Sequence, residues 1–347
     1  MTPDISPLGN LRLIAPWESD ASRLRTWLRC NRRWLYSSGL GLEAAGENSG
    51  GDLLFGSLVH SSLESWDRLL TITDWHDEKI LVNILESAWE SSAAWDSHPD
   101  LATGPKTRDS LIRLLIWYAE QFGGREDSIK PACLNGDVLV EVPFSIAASD
   151  LAASLGLAGL DFGQWPQPPR ITGRLDGVVW GLGEGESWVR ERKTTGSALS
   201  SFYFARYSPE VQTSIYPMVA RYLFPNADIQ GVLLEAIQVG VSFARMQRVE
   251  LRRHPDQLRE SLVSIARAFR EMAAAGVGQF AADENHYPIN ESACVSGGRP
   301  CPFRALCLDR PANRPAAIAS NFQFRTPWNP LEYSSNITVL TAPVNLD

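Results

Sequence analysis

The chain has 347 residues, 44 % of them apolar and 21 % charged, with a formal net charge of −8. That make-up fits a globular protein with one large core or two ordinary ones, and argues against a protein that coats nucleic acid with a dense basic surface. No stretch free of charge is long enough to span a bilayer, and the N-terminal "MTPDISPLGNLRLIAPWESD" has no basic segment leading into an apolar one, so a cytoplasmic protein without a membrane partner is expected.

In chain order, residues 19–36 read as a basic helix carrying Arg23, Arg25, Arg29, Arg32 and Arg33, with Arg32 and Arg33 candidate phosphate contacts. "FGSLVHSSLESWDRLL" has helical periodicity, its apolar stripe being Val59, Leu63, Trp66 and Leu70. His60 and Glu64 lie four apart, on one face of that helix. An imidazole ligand oriented by a carboxylate is one reading of the pair, and an ordinary interfacial histidine is the other. Residues 74–125 read as a helical insertion whose tryptophans, Trp75, Trp89, Trp95 and Trp117, are assigned mostly to the core. "GDVLVEVPFSIA" reads as a strand.

"RITGRLDGVVW" and "SWVRERKT" read as two strands joined by the Gly-rich turn "GLGEGE". Alternation puts Val189, Glu191 and Lys193 on one face and Arg190 and Arg192 on the other. Asp176 lies on the partner strand, where pairing brings it towards Glu191. Two carboxylates that converge repel unless a cation lies between them, and oxygen donors favour Mg²⁺ or Mn²⁺. Lys193 belongs to a chain whose other lysines are Lys79, Lys106 and Lys130, the rest of its 32 basic residues being arginine. A compact ammonium of tunable pKa can orient an attacking water, which a flat guanidinium does poorly. The alternative is an exposed hairpin with a cross-strand ion pair.

"PEVQTSIYPMVARYLFP" reads as a helix with Gln212 and Tyr216 on one face, and Pro217 is expected to kink or interrupt it. "IQGVLLEAIQVGVSFARMQRVEL" supplies further strands, and residues 255–277 a helix with Leu258, Leu262, Ile265, Phe269 and Met272 at helical spacing. Arg245, Arg248, Arg252 and Arg253 are a candidate phosphate track or a solvated charged face. Cys294, Cys301 and Cys307 crowd into "CVSGGRPCPFRALC", and Cys30 stands far upstream. Four thiolates from two distant segments can close a soft-metal site, whereas Cys133 reads as a free thiol. Residues 311–347 read as an irregular tail. No G-x-x-x-x-G-K-[ST] phosphate loop is present, so any unwinding motor is a separate chain.

Taken in order, G-x-x-x-H-x-x-x-E at Gly56, His60 and Glu64, G-x-x-D at Gly173 and Asp176, E-x-K at Glu191 and Lys193, and Q-x-x-x-Y at Gln212 and Tyr216 resemble the RecB-like branch of the PD-(D/E)XK nuclease superfamily. The resemblance implies an α/β fold of the restriction-endonuclease-like kind, a mixed sheet flanked by helices, as one nuclease domain over residues 1–310. It implies Mg²⁺ or Mn²⁺ held by His60, Asp176, Glu191 and the Arg192 backbone carbonyl. Lys193 and Glu64 would join Asp176 and Glu191 in catalysis, and Gln212 and Tyr216 would hold DNA. The cysteines resemble the iron-staple subset, implying a [4Fe–4S] cluster, with Zn²⁺ as alternative, in a cysteine lobe over residues 280–310. The departures are Asn31 after Cys30, where that subset has Pro-x-Arg, and a longer first spacing in the triplet. The implied activity is exonucleolytic hydrolysis of single-stranded or frayed DNA in repair, recombination or CRISPR adaptation, beside a helicase or integrase chain. A catalytically silent scaffold and a zinc-stabilised interaction module are the alternatives.

Overall fold

The computed structural model describes residues 17–44, 49–72, 78–93, 95, 104–123, 129–276, 284–296, 299–324, 329, 331 and 338–346. Its principal elements in chain order are β1 (Glu18–Ser19), α1 (Ala21–Arg29), α2 (Ser49–Ile72), α3 (Glu78–Ser91), α4 (Arg108–Phe122), β2 (Lys130–Pro131), β3 (Val140–Ala147), β4 (Arg170–Trp180), β5 (Glu186–Thr195), α5 (Ser201–Ala205), α6 (Val211–Leu223), β6 (Asp228–Val239), β7 (Ala244–Arg252), α7 (Pro255–Ala274) and α8 (Arg314–Asn321). A seven-stranded mixed sheet runs β1-β4-β5-β6-β7, with β2 and β3 also pairing β4. β4 and β5 are the antiparallel hairpin expected from their alternation, β5 and β6 are parallel, and β6 and β7 antiparallel. This is the expected mixed α/β architecture.

The chain forms two compact units, each woven from separate segments. One comprises Met1–Glu47, Ser145–Gly173 and Pro255–Tyr333, and the other Asn48–Phe144, Arg174–His254 and Ser334–Asp347.

In the second unit the apolar stripe of α2 behaves as its spacing requires at Val59, Leu63 and Trp66, the Leu70 side chain lying outside those described. Val59, Leu63 and Trp66 are buried with Ile84 and Ala88 of α3, Leu111, Leu114 and Tyr118 of α4, and Ile237 and Val239 of β6. The insertion is thus a layer of the core. Trp95 is buried there, Trp89 is 47 % exposed and carries the Arg108 guanidinium, and Trp75 lies outside the described residues. β6 is buried along nearly its whole length because it is an interior strand, paired on both edges. Gly231 is obligatory in it, since a Cβ there would lie 2.2 Å from the Leu251 carbonyl of β7. α6 runs unbroken through Pro217, contrary to expectation. Residues 213–220 are all buried, so the packing of α6 offsets the one backbone hydrogen bond that proline removes.

In the first unit, Asp20 caps α1 by accepting from the N–H groups of Ser22 and Arg23 at 2.8 and 2.9 Å. The basic helix expected over residues 19–36 ends at Arg29, because Cys30 turns to extended backbone before a short second turn, Asn31–Trp34. α7 buries Leu258, Leu262, Ile265, Phe269 and Met272, as its periodicity requires. The irregular tail expected from residue 311 begins instead with α8, which has proline in its first turn and buries Arg314 against Glu284. Phe322–Phe324 then pairs antiparallel with Leu42–Ala44. No helix among the described residues is long and apolar enough to cross a membrane.

Candidate active site

The ladder between β4 and β5 ends at Gly177↔Arg190. Beyond it the backbone N–H of Arg192 donates to a side chain of β4, the Asp176 carboxylate, at 2.8 Å. Asp176 is therefore fixed in the fork where the strands part.

His60 reaches this fork from α2 and Glu141 from β3. His60 Nδ1 lies 3.5 Å from Glu141 Oε1 and 3.6 Å from Asp176 Oδ2. Among the described residues these three are the only His, Cys, Asp and Glu side chains that place three or more donor atoms within 4.8 Å of one another. One nitrogen and two carboxylate oxygens suit a divalent cation of the hard or borderline kind. Burial would lower the His60 pKa, but Asp176 and Glu141 outweigh it and hold the imidazole above its ordinary range.

Glu191 and Lys193 project from β5 on one face, as alternation requires. Lys193 Nζ makes an ion pair with Glu191 Oε1. Gln212, from α6, ties the two together: its Nε2 donates to Glu191 Oε1 at 2.9 Å and its Oε1 accepts from Lys193 at 3.2 Å. Glu191 Oε2 is buried and has no hydrogen-bond partner. A carboxylate oxygen so placed calls for a cation or a proton. Burial, then the Asp176 charge, pushes the Glu191 carboxyl up to about 7 against the pull of Lys193. Both observations fit a metal held by His60, Glu141 and Asp176 with Glu191 beside it.

Glu141 escaped the sequence analysis. The available signal was an acidic residue inside the apolar run "VLVEVPF". Its φ of +49° is rare for a residue with a side chain, and the backbone there is fixed while Arg174 pairs with the carboxylate. Glu141→Gln is expected to weaken Mn²⁺ binding roughly ten- to a hundred-fold, read by titration calorimetry at pH 8, with unchanged circular dichroism.

Several expected roles fall elsewhere. Glu64 accepts from Arg68 one turn along α2, at 2.8 Å, and is not in the donor group. Tyr216 is buried edge-on against Phe144, 6.1 Å between ring centroids. Arg32 is not a DNA contact: it is buried, donating to the Tyr287 and Glu284 carbonyls at 2.9 and 2.6 Å and pairing with the Glu284 carboxylate. Arg33 borders the cysteine cavity described below. Of the candidate phosphate track, Arg245 is exposed and lies over the Phe243 ring, while the other three have partners in the protein. Arg248 pairs with Glu235, Arg252 with Glu186 and Glu250, and Arg253 donates to Ser208, Thr213 and the Tyr207 carbonyl.

Arg190 and Arg192 lie on the other face of β5, buried rather than solvated. Asp67 of α2 pairs with both, and Arg192 also meets Glu235 at 3.5 Å and the Tyr118 hydroxyl at 3.2 Å. Asp67 so clamps α2, which carries His60, to β5, which carries Glu191 and Lys193.

In the first unit Cys30, Cys294, Cys301 and Cys307 border one small cavity. No three of their sulfurs lie within 4.8 Å of one another. Tetrahedral zinc, with bonds of about 2.3 Å, would hold them closer. The zinc centre does not fit this spacing, and the expected iron–sulfur cluster is not supported either.

A carboxylate-and-histidine donor group, a buried acid and a lysine are thus gathered where two strands of a mixed sheet part, a set of groups suited to metal-dependent hydrolysis. A family model described as the PD-(D/E)XK nuclease superfamily matches residues 20–308, and the chain belongs to that superfamily, whose members are typically metal-dependent nucleases acting on DNA. Among curated proteins nothing matches the chain.

Proposed function

We propose that this chain is a RecB-like deoxyribonuclease that, with Mg²⁺ or Mn²⁺, removes nucleotides from single-stranded or frayed DNA ends in the cytoplasm. The reading rests above all on one observation: His60, Glu141, Asp176, Glu191, Lys193 and Gln212, drawn from five elements, converge on one fork of the sheet. When bound, the cation would polarise the phosphate and lower the pKa of the attacking water. His60, Glu141 and Asp176 would hold it, and Glu191, expected as a ligand from the resemblance but outside that donor group, would stand beside it. The Arg192 carbonyl, expected as a ligand from the resemblance, belongs to the same proposal.

Lys193 orients the water and offsets charge that develops on the phosphate, while Gln212 holds the ammonium and the Glu191 carboxylate in register. A separate helicase or integrase chain is the partner that would supply frayed ends, in repair, recombination or CRISPR adaptation. The test is cleavage of 5′-labelled single-stranded DNA with Mn²⁺ or Mg²⁺. Complete loss on chelation with EDTA and return on adding the metal are expected. Cleavage unaffected by EDTA, or no cleavage by folded protein with either metal, would sink the reading.

A further inference from the structure

The connection from β5 to α6 leaves Lys193 and returns to Gln212, so both its ends are in the site. Its middle is "FYFARY", residues 202–207. Ser200 caps α5 by accepting from the Tyr203 N–H at 3.2 Å. The buried Tyr203 ring lies 5.1 Å from Phe204 and 5.5 Å from Tyr207, and the two tyrosine hydroxyls are 3.2 Å apart. Arg206 donates to the Tyr203 carbonyl at 3.0 Å and places its guanidinium 4.0 Å over that ring. The segment is fastened to α6 where Thr213 Oγ1 donates to the Tyr207 carbonyl at 2.7 Å, and Arg253 donates to the same carbonyl at 3.1 Å. This is a stiff aromatic segment whose two ends lead into the site.

Next to Tyr203 in the chain, Phe202 is 88 % exposed. A single exposed apolar side chain needs no explanation by itself. This one adjoins the fixed Tyr203 in the chain and precedes the exposed Arg206 by four residues, in the segment that joins two residues of the site. Aromatic faces combined with positive charge are how proteins grip single strands, because every unpaired base offers a π-face and every nucleotide a phosphate. A duplex keeps its bases stacked on one another and offers Phe202 nothing comparable.

We propose that Phe202 is a stacking platform for an unpaired nucleobase of the DNA strand at the metal centre, with Arg206 as its phosphate-attracting neighbour, and that this pair makes the enzyme prefer single-stranded ends. The inference rests on the nuclease reading above, and its test separates the two. Binding of a fluorescein-labelled single strand is followed by anisotropy with Ca²⁺, and cleavage kinetics with Mn²⁺, for wild type, Phe202→Ala and Phe202→Trp. Phe202→Ala should weaken binding and raise KM by roughly five- to a hundred-fold while kcat stays within about three-fold, and Phe202→Trp should restore both. Strands with abasic residues flanking the scissile phosphate should bring wild type and Phe202→Ala together. The proposal is overturned, with the nuclease reading intact, if wild type cleaves and Phe202→Ala matches it on single strands, or if the defect persists on abasic strands. Wild type that binds but does not cleave fails the nuclease reading alone, since anisotropy still decides the role of Phe202. Wild type that does not bind single strands overturns both.

Discussion

Lys193→Ala should lower the rate of metal-dependent DNA cleavage by about 10²–10⁴-fold, the range that a positioned proton-transfer or charge-stabilising group supplies. The loss should fall on kcat, because the ammonium meets Glu191 and Gln212 in the resting site and the reacting phosphate only as charge develops. The variant should still fold, since the Lys193 side chain is 32 % exposed and forms no part of the core. It should still bind Mn²⁺, because His60, Glu141 and Asp176 are untouched. Single-turnover cleavage of an end-labelled strand, alongside Mn²⁺ titration calorimetry, checks both halves. Unchanged kcat would remove Lys193 from the chemistry, and lost metal binding would make it a structural partner of Glu191. Lys193→Arg should recover little, as a guanidinium does not fit the space an ammonium occupies between Glu191 and Gln212.

The hairpin that carries Asp176, Glu191 and Lys193 was legible because period-two alternation and a Gly-rich turn are local signals, and they fix which side chains share a face. The helices α2 and α7 were legible for the same reason at helical period. Glu141 was not, since its approach to His60 depends on a left-handed backbone at one position, which no pattern of apolar residues announces. The arginines misled in one direction only. Alternation placed Arg190 and Arg192 opposite Glu191, but whether that face meets water or another element is a tertiary matter, and α2 covers it with Asp67. Arg32 reads as a free basic charge until Glu284, 252 residues later, comes beside it. Spacing likewise placed the cysteines together without setting how closely their sulfurs approach.

Asp67→Ala should destabilise the protein by about 3–5 kcal/mol at pH 7, the usual cost of removing one partner from a buried ion pair. The reason is what stays behind: the Arg190 and Arg192 guanidiniums would keep their charge in a site where each side chain is 3 % exposed. Glu235 would remain beside Arg192, so part of the electrostatic balance survives, and a double-mutant cycle of Asp67→Ala with Arg192→Met should show a coupling well above that of a surface pair. Urea titrations at pH 7 measure both. The pH dependence has a definite sign. Burial pushes the Asp67 carboxyl up, but Arg190 and Arg192 outweigh it and hold it below its ordinary value of about 3.9. The stabilisation from its charge is therefore fully present above that unfolded-state value and is lost only as pH falls through the lower folded-state one, so wild type should lose its advantage over Asp67→Ala below about pH 4. The same variant tests the clamp between α2 and β5. With Asp67 gone, His60 on one element and Glu191 on the other lose their common anchor, and Mn²⁺ affinity should fall even where the protein remains folded. Metal affinity equal to wild type in folded Asp67→Ala would show that the ladder and core hold the fork without it.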